Sequence, residues 1–325
     1  MSLKELPLLR LLSGGEPLSG ESLGRLLGMS RAAVWKQVQQ LRQQGYEIES
    51  LAGRGYRLVP PLELLNILDL QAALSTVGLH VDLRFSTDST NRDVLDAFAQ
   101  DQGHAYMVIA EQQMAGRGRR GRNWVSPLAR NFYGSLGWRF DFAASGLAGL
   151  SLAVGVGVAQ CLESVIGRPI FLKWPNDLVV DAHKLGGILI ELAGDASGPC
   201  DVVIGLGVNH HGFPEGGGVV DQPVTALQAW GKISRFDLAV KLGMAMADVV
   251  SRFDHEGFAA FKSEFIARDG LKDRPLICYQ GGRELRGWGR GVAEDGSLLL
   301  ESSGTIYKVN SGEVSIRVDP AHGLG

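Results

Sequence analysis

The 325 residues are 45% hydrophobic with a formal net charge of −3. That is enough apolar content for two or three domains, and too little positive charge for a chain that coats nucleic acid along its whole length. The three cysteines, Cys161, Cys200 and Cys278, are odd in number and far apart, which argues against a disulfide framework or a zinc site and for a reducing, cytoplasmic setting.

Charge is uneven along the chain. Residues 1–60 balance at +3 and the remainder at −6, so an anionic partner is expected for the head alone. The start, "MSLKELPLLRLLSGG", has too short an apolar run for a signal peptide. "ELPLLRLLSGG" reads as an amphipathic helix. "SGESLGRLLGMS" reads as a second, with Leu23, Leu26 and Leu27 inward and Gly28 closing it. Ser30 then caps a third helix, "RAAVWKQVQQLRQQG", in which Val34, Val38 and Leu41 share one face and Arg31, Lys36, Gln37 and Gln40 the other. Helix, tight glycine turn, helix is the helix-turn-helix pattern, and the polar face carries side chains suited to phosphates and base edges. "YEIESLAGRGYRL" follows as a hairpin with Arg54 at its tip, a candidate wing. Ser30, Arg31, Lys36, Gln37 and Arg54 are the candidate DNA contacts.

Pro60 and Pro61 break the chain as a linker. Helical stretches then alternate with short apolar strands, the pattern of an α/β domain. The uncharged run 142–162 has the length of a membrane span, but Ser, Gly and Gln dilute it, and it reads as a buried helix capped near Ser145. From about 271 the chain turns to strand-sized runs separated by "GG", "EDG" and "SSG", a small all-β barrel.

Between them lies "MAGRGRRGRNW", residues 114–124. Gly116, Gly118 and Gly121 match the dinucleotide fingerprint G-x-G-x-x-G, and Asp141 stands at the distance of its ribose-binding acid. Context rejects that reading, because "RNWVSPLARN" places Trp, Val and Pro where the pyrophosphate-binding helix must start. Arg117, Arg119, Arg120 and Arg122 instead form a mobile cationic loop suited to enclosing a polyanion. On the loop alone, nucleotide and nucleic acid are equally good occupants.

Other clusters point the same way. "KWPNDL" sets Lys173, Asn176 and Asp177 around a rigid Trp-Pro, offering phosphate, nucleotide and Mg²⁺ contacts. Lys184 precedes a glycine pair at the start of an apolar strand, "DSTN" opens a helix at residues 88–91, and "GLGVN" delivers Asn209 to a strand end. Each has an ordinary turn or capping role as its alternative.

The set together resembles the bacterial biotin protein ligases that double as biotin operon repressors. The resemblance covers essentially the whole chain and rests on "SGESLGRLLGMSRAAVWKQVQQLR", "DSTN", "QQMAGRGRRGRNW", "KWPNDL", "KLGGILIEL", "GLGVN" and the β tail. It implies a winged helix-turn-helix over 1–62 and a catalytic domain over 63–270, of the α/β fold shared with class II aminoacyl-tRNA synthetases and lipoate ligases. It also implies an SH3-like barrel over 271–325. The implied reaction joins biotin to ATP as biotinyl-5′-AMP, then moves the acyl group to a lysine of a biotin carboxyl carrier protein.

By the same resemblance Ser89, Thr90, Asn91 and Gln113 hold the ureido end of biotin, with Gly116 and Gly118 in backbone contact. Arg117 and Arg119 fold over biotin and the α-phosphate, Arg122 takes phosphate, and Trp124 packs beside the ligand. Lys184 lies at the reacting carboxylate, and Lys173, Asn176 and Asn209 serve the nucleotide. Asp177 holds Mg²⁺ and is the nearest base for the acceptor lysine. The adenylate-bound form is expected to dimerise and bind operator DNA, without any membrane. The chain departs from the pattern twice. Trp35 stands where a polar, DNA-facing side chain is expected and reads as packing instead. The glycine-rich 210–224 loop lacks the aromatic expected over adenine, leaving Val224 to substitute. Two further readings stay open: a ligase whose head regulates nothing, and a ligand-sensing transcription factor without catalysis.

Overall fold

A computed structural model describes residues 6–43, 45–193, 198–212, 223–280, 283–312 and 314–319. The described chain divides into two compact units, one up to Leu65 and the other from Asn66 onward.

The first unit is helix α1 (Leu6–Leu12), α2 (Gly20–Leu27) and α3 (Arg31–Gln43), then an antiparallel ribbon of β1 (Ile48–Leu51) and β2 (Gly55–Leu58). Sequence signals place the helix ends. Ser19 Oγ accepts the Ser22 N–H at 3.0 Å, Gly28 closes α2 in the left-handed region, and Ser30 Oγ accepts the Ala33 N–H at 3.2 Å. Leu9, Leu12, Leu23, Val34, Val38 and Leu41 make the core. Leu26, expected inward, is 64% exposed, because an eight-residue helix turns only its 23/24 edge toward its neighbours.

The second unit begins with α4 (Ile67–Leu74) and centres on a seven-stranded sheet. In chain order the strands are β3 (His80–Arg84), β4 (Tyr106–Ala110), β5 (Phe132–Phe140), β6 (Phe171–Lys173), β7 (Asp177–Val180), β8 (His183–Ala193) and β9 (Cys200–Val208). In space they run β3-β4-β5-β9-β8-β7-β6, and only β3 and β4 pair in parallel. Strand alternation gives the two faces different chemistry. One face carries Leu136, Ile188, Ile204 and Leu206, and receives α6 (Leu150–Ile166) and α7 (Arg235–Glu256) through contacts such as Phe140 with Phe253. The other carries Ser135, Gly187, Gly205 and Gly207, with α5 (Thr90–Phe98) packed on it through Val94 and Phe98. The uncharged run 142–162 does form a largely buried helix, but α6 begins at Leu150 without a side-chain cap, after a short 3₁₀ turn at Ala144–Leu147.

After α8 (Lys262–Arg268) the tail forms β10 (Pro275–Gln280), β11 (Arg283–Val292), β12 (Leu298–Ser302), β13 (Thr305–Val309) and β14 (Val314–Val318). Their order is β13-β12-β11-β10-β14, antiparallel throughout. The expected closure is not seen: among the described residues β13 and β14 are the two edges of an open sheet. The indole N–H of buried Trp174 donates to Gly296 O at 2.9 Å and ties this sheet to the catalytic core.

Candidate active site

The site lies on the glycine-bearing face of the sheet. Gly187 pairs with Gly207, and Gly205 with Ser135. A side chain at Gly205 would begin 2.2 Å from Asn91 Oδ1, and one at Gly207 would begin 2.5 Å from the Trp124 ring. These strands are therefore bare so that other side chains can lie across them. The alternation in "IGLGV", glycine every second residue against Ile204, Leu206 and Val208, is the sequence signal of such a floor, and motif reading passed over it.

At one end of the floor, Ser89 is the N-cap of α5, and Ser89, Thr90 and Asn91 are all buried. Gln113 Oε1 accepts from the Thr90 N–H at 2.9 Å, and Gln113 Nε2 donates to Ser126 Oγ at 3.1 Å. Ser135, fully buried, donates to Asn91 Oδ1 at 2.6 Å and sits 2.7 Å from Thr90 Oγ. Asn91 Nδ2 donates to Glu191 Oε2 at 2.7 Å. The Asn91 amide is thus spent within the protein, and its part here is to hold the wall. Ser126, Ser135 and Glu191 were not among the sequence candidates.

The arginine loop forms a hydrogen-bonded turn. Gly118 N–H donates to Arg122 O at 2.7 Å, Trp124 N–H donates to Gly116 O at 2.8 Å, and Arg117 bridges Asn123. Arg117 pairs with Glu191 at 3.0 Å. Arg119 turns inward, 3.5 Å from Asn176 Oδ1, and donates to Ser311 O and, at 2.8 Å, to Gly312 O in the β13–β14 turn. Arg120 and Arg122 are exposed.

At the other end, Lys184 Nζ sits 2.7 Å from Asp177 Oδ1 and 5.4 Å from the centre of the Trp124 ring, with both charged side chains mostly buried. Lys184 lies inside β8 rather than before it. Its N–H donates to Pro223 O and its carbonyl accepts from Thr225 N–H, which brings Val224 alongside. Of the 210–224 loop, residues 213–222 lie outside the described residues. Asn209 follows β9, its Nδ2 donating to Thr225 O at 3.0 Å. Asn176 Nδ2 donates to Ile188 O at 2.8 Å, which fixes the "KWPND" turn on β8.

Burial pulls the Lys173 ammonium below its ordinary pKa, and neighbouring Lys184, Arg122 and Arg317 push the same way against Asp177. Burial likewise lowers Arg119, opposed by Asp177. One carboxylate is shared among Lys173, Lys184 and Arg119, so the cluster is short of negative charge and suited to a polyanion. Two groups await a partner: Trp124 Nε1 and Asn209 Oδ1 are buried with no hydrogen bond among the described residues.

On the first unit, Ser30, Arg31, Lys36 and Arg54 are exposed as expected. Gln37 is not well presented, since it is half-buried and its Oε1 is shielded. Trp35 corrects the expectation of inward packing: it is 55% exposed, one turn along α3 from Arg31 and beside Lys36.

A floor of glycines, a cationic turn beside it and a lysine–aspartate pair at its end make a basic site suited to an anionic ligand. Residues 84–209 match the biotin/lipoate A/B protein ligase family and residues 4–57 a helix-turn-helix domain. The chain is 39% identical over 314 residues to the bifunctional ligase/repressor BirA of Escherichia coli, spanning 96% of this chain and 97% of that one. It is 32% identical to the biotin–[acetyl-CoA-carboxylase] ligase of Paracoccus denitrificans over 70% of this chain and 97% of the relative. The biotin protein ligase of Aquifex aeolicus, solved with biotin and ATP, superposes with a TM-score of 0.63 at 25% identity, covering 74% of this chain and 99% of that one. The chain belongs to the family of bifunctional biotin protein ligases and repressors.

Proposed function

We propose that the chain condenses biotin with ATP to biotinyl-5′-AMP, then transfers biotin to a lysine of a biotin carboxyl carrier protein. The observation that carries this is the Lys184–Asp177 pair at the end of the glycine floor, under the arginine turn. In the first step a biotin carboxylate oxygen bonds to the α-phosphorus and the bond to pyrophosphate breaks. Two anions must meet, and Lys184, Arg119, Lys173 and Arg122 supply the neutralising charge at the α-phosphate and the leaving group. Asp177 aims Lys184 and keeps its ammonium in place. Thr90, Gln113 and the Gly116–Gly118 backbone face the far end of biotin, Ser89 lies beside them, and Trp124 covers its body. Asn176 and Asn209 serve the nucleotide. In the second step the neutral amine of the acceptor lysine attacks the acyl carbon, AMP leaves, and the proton lost by the nitrogen passes to the departing phosphate or to water. Until then the arginine turn shields the mixed anhydride from water.

Among the described residues no three His, Cys, Asp or Glu side chains gather as a metal cage. Asp177 would hold Mg²⁺ together with the nucleotide phosphates, where the ion would neutralise phosphate charge.

The remaining proposals follow the family. Residues 1–62 are the DNA-binding domain, 63–270 the catalytic domain, and 271–325 a small SH3-like antiparallel β domain. Ser30, Arg31, Lys36, Gln37 and Arg54 contact operator DNA, and the adenylate-bound chain acts as a dimer in the cytoplasm. The test is biotin-dependent exchange of labelled pyrophosphate into ATP. Wild type exchanges only with biotin present, and Lys184→Ala lowers the rate about 10²- to 10³-fold. An absence of biotin-dependent exchange by wild type overturns the reading.

A further inference from the structure

We infer that Arg42 is a positioning residue for DNA binding: it ties the β1–β2 ribbon to the end of α3, so that Arg54 at the ribbon tip and the polar face of α3 meet DNA together. The inference rests on the reading of the first unit as the DNA-binding head, and deepens it.

The ribbon is short, four residues in each strand, paired in register from Ile48–Leu58 to Leu51–Gly55. Two strands of that length are marginal in water on their own, so what holds them lies along their outer edges. The outer edge of β2 is closed by backbone. Leu18 and Tyr56 exchange both N–H···O bonds at 2.9 Å. Gly55, at φ +102°, permits that approach, since a side chain there would begin 2.0 Å from Leu18 O.

The outer edge of β1 is closed by a side chain. Because Tyr56 turns both backbone groups to Leu18, its pair with Ser50 is a non-hydrogen-bonded one, and so, two residues on, is Ile48–Leu58. The Ile48 carbonyl therefore faces away from β2, and Arg42 meets it there. Arg42 Nε donates to Ile48 O at 2.8 Å, and Nη2 donates to the same oxygen and, at 2.9 Å, to Ser50 Oγ. Arg42 stands in the last turn of α3, beside Leu41 and one turn beyond Val38, both fully buried. The helix that carries Arg31 and Lys36 and the ribbon that carries Arg54 are thus joined at one guanidinium, whose planar fork spans a carbonyl and a hydroxyl two residues apart.

Arg54 is exposed in the turn between the strands. A ribbon free to swing would have to be ordered by DNA, and that ordering lowers affinity. A ribbon fixed at its base presents Arg54 to phosphate without that loss. Arg42 acts through Arg54.

Arg42→Met keeps the aliphatic stem and deletes the donors. In the DNA-free protein, amide hydrogen exchange over residues 48–58 is expected to quicken about tenfold, with the buried amides of α1–α3 unchanged. On a duplex selected in vitro for binding to the biotin- and ATP-loaded protein, the variant is expected to bind about five- to tenfold more weakly. Its salt slope is expected to fall by about one unit, as for a lost phosphate contact. Arg54→Ala is expected to do the same, and the double variant to bind no more weakly than Arg54→Ala alone. Arg42→Lys, which reaches the Ile48 carbonyl with a single ammonium, is expected to recover part of the affinity. Additive losses in the double variant overturn the inference, because Arg42 would then touch phosphate itself. Unchanged exchange in the ribbon overturns it as well. Failure of wild type to select any duplex overturns the DNA-binding reading instead, and the exchange result still decides whether Arg42 holds the ribbon.

Discussion

His210 follows Asn209 beyond β9 and is 2% exposed. Its Nε2 meets Ile233 O at 2.8 Å, its ring lies 4.2 Å from that of His211, and Arg235 adds a nearby positive charge. Burial, helped by the second histidine, pulls its pKa down from 6.5 to about 4. A histidine whose folded pKa is depressed is neutral in both states above pH 6.5 and costs nothing there. As pH falls from 6.5 toward 4, the unfolded chain takes up a proton that the folded chain refuses, and stability drops. Between pH 7.5 and 4.5 this site accounts for about 2 to 3 kcal/mol. Urea unfolding at the two pH values checks it: His210→Gln is expected to lose that much less than wild type, and parallel losses would refute the assignment. At this scale the site was partly legible. Thr90, Asp177 and Lys184 stood out because their chemistry sits within short motifs, whereas Gln113 came only from the family resemblance. Glu191 and Ser135 did not stand out, since their meaning comes only from side-chain hydrogen bonds to Asn91 on α5, 100 and 44 residues away.

Among the elements, α3 shows what amphipathic reading resolves and what it misses. Val34, Val38 and Leu41 were assigned inward and are fully buried. Position 35 stands where a polar, DNA-facing side chain is expected, and the tryptophan there reads as packing instead. The structure keeps Trp35 exposed on the outer face with Arg31 and Lys36. The proposal that α3 enters the major groove then predicts apolar contact from the indole at base edges and charge from Lys36 at phosphate. The two are separable by salt. On a duplex selected in vitro for binding to the biotin- and ATP-loaded protein, Lys36→Ala is expected to reduce the salt slope by about one unit. Trp35→Ala is expected to keep the slope and weaken specific binding by about tenfold or more. A changed slope with Trp35→Ala, or undiminished affinity, would remove the indole from the groove. The catalytic sheet was less legible, for alternating helices and strands suggest parallel neighbours. Here only β3 and β4 are parallel, because β4 to β5 and β6 to β9 are joined mainly without crossover helices.

For the molecule as a whole, the two compact units carry different dependencies. The head has its own core of leucines and valines, whereas the C-terminal sheet shares one unit with the catalytic core. That sharing is chemical as well as spatial: Arg119 donates to Gly312 O, and Trp174, 2% exposed in the "KWPND" turn, donates to Gly296 O. The second bond is buried, so removing its donor strands a carbonyl and costs about 1 to 3 kcal/mol. Trp174→Phe preserves most of the apolar volume while deleting that N–H, and it is expected to lower the unfolding midpoint of the catalytic unit by this amount. The head should unfold at its wild-type midpoint, because its core contains neither partner. Urea unfolding followed by hydrogen exchange, with protection read separately for residues 6–65 and for those beyond, distinguishes the two. Loss of protection in β10–β14 together with β7 and β8 would show that the tail and the active-site turn open as one cooperative body. Loss confined to the tail would show that the catalytic sheet stands without it, and that the indole bond does no more than dock one piece on another.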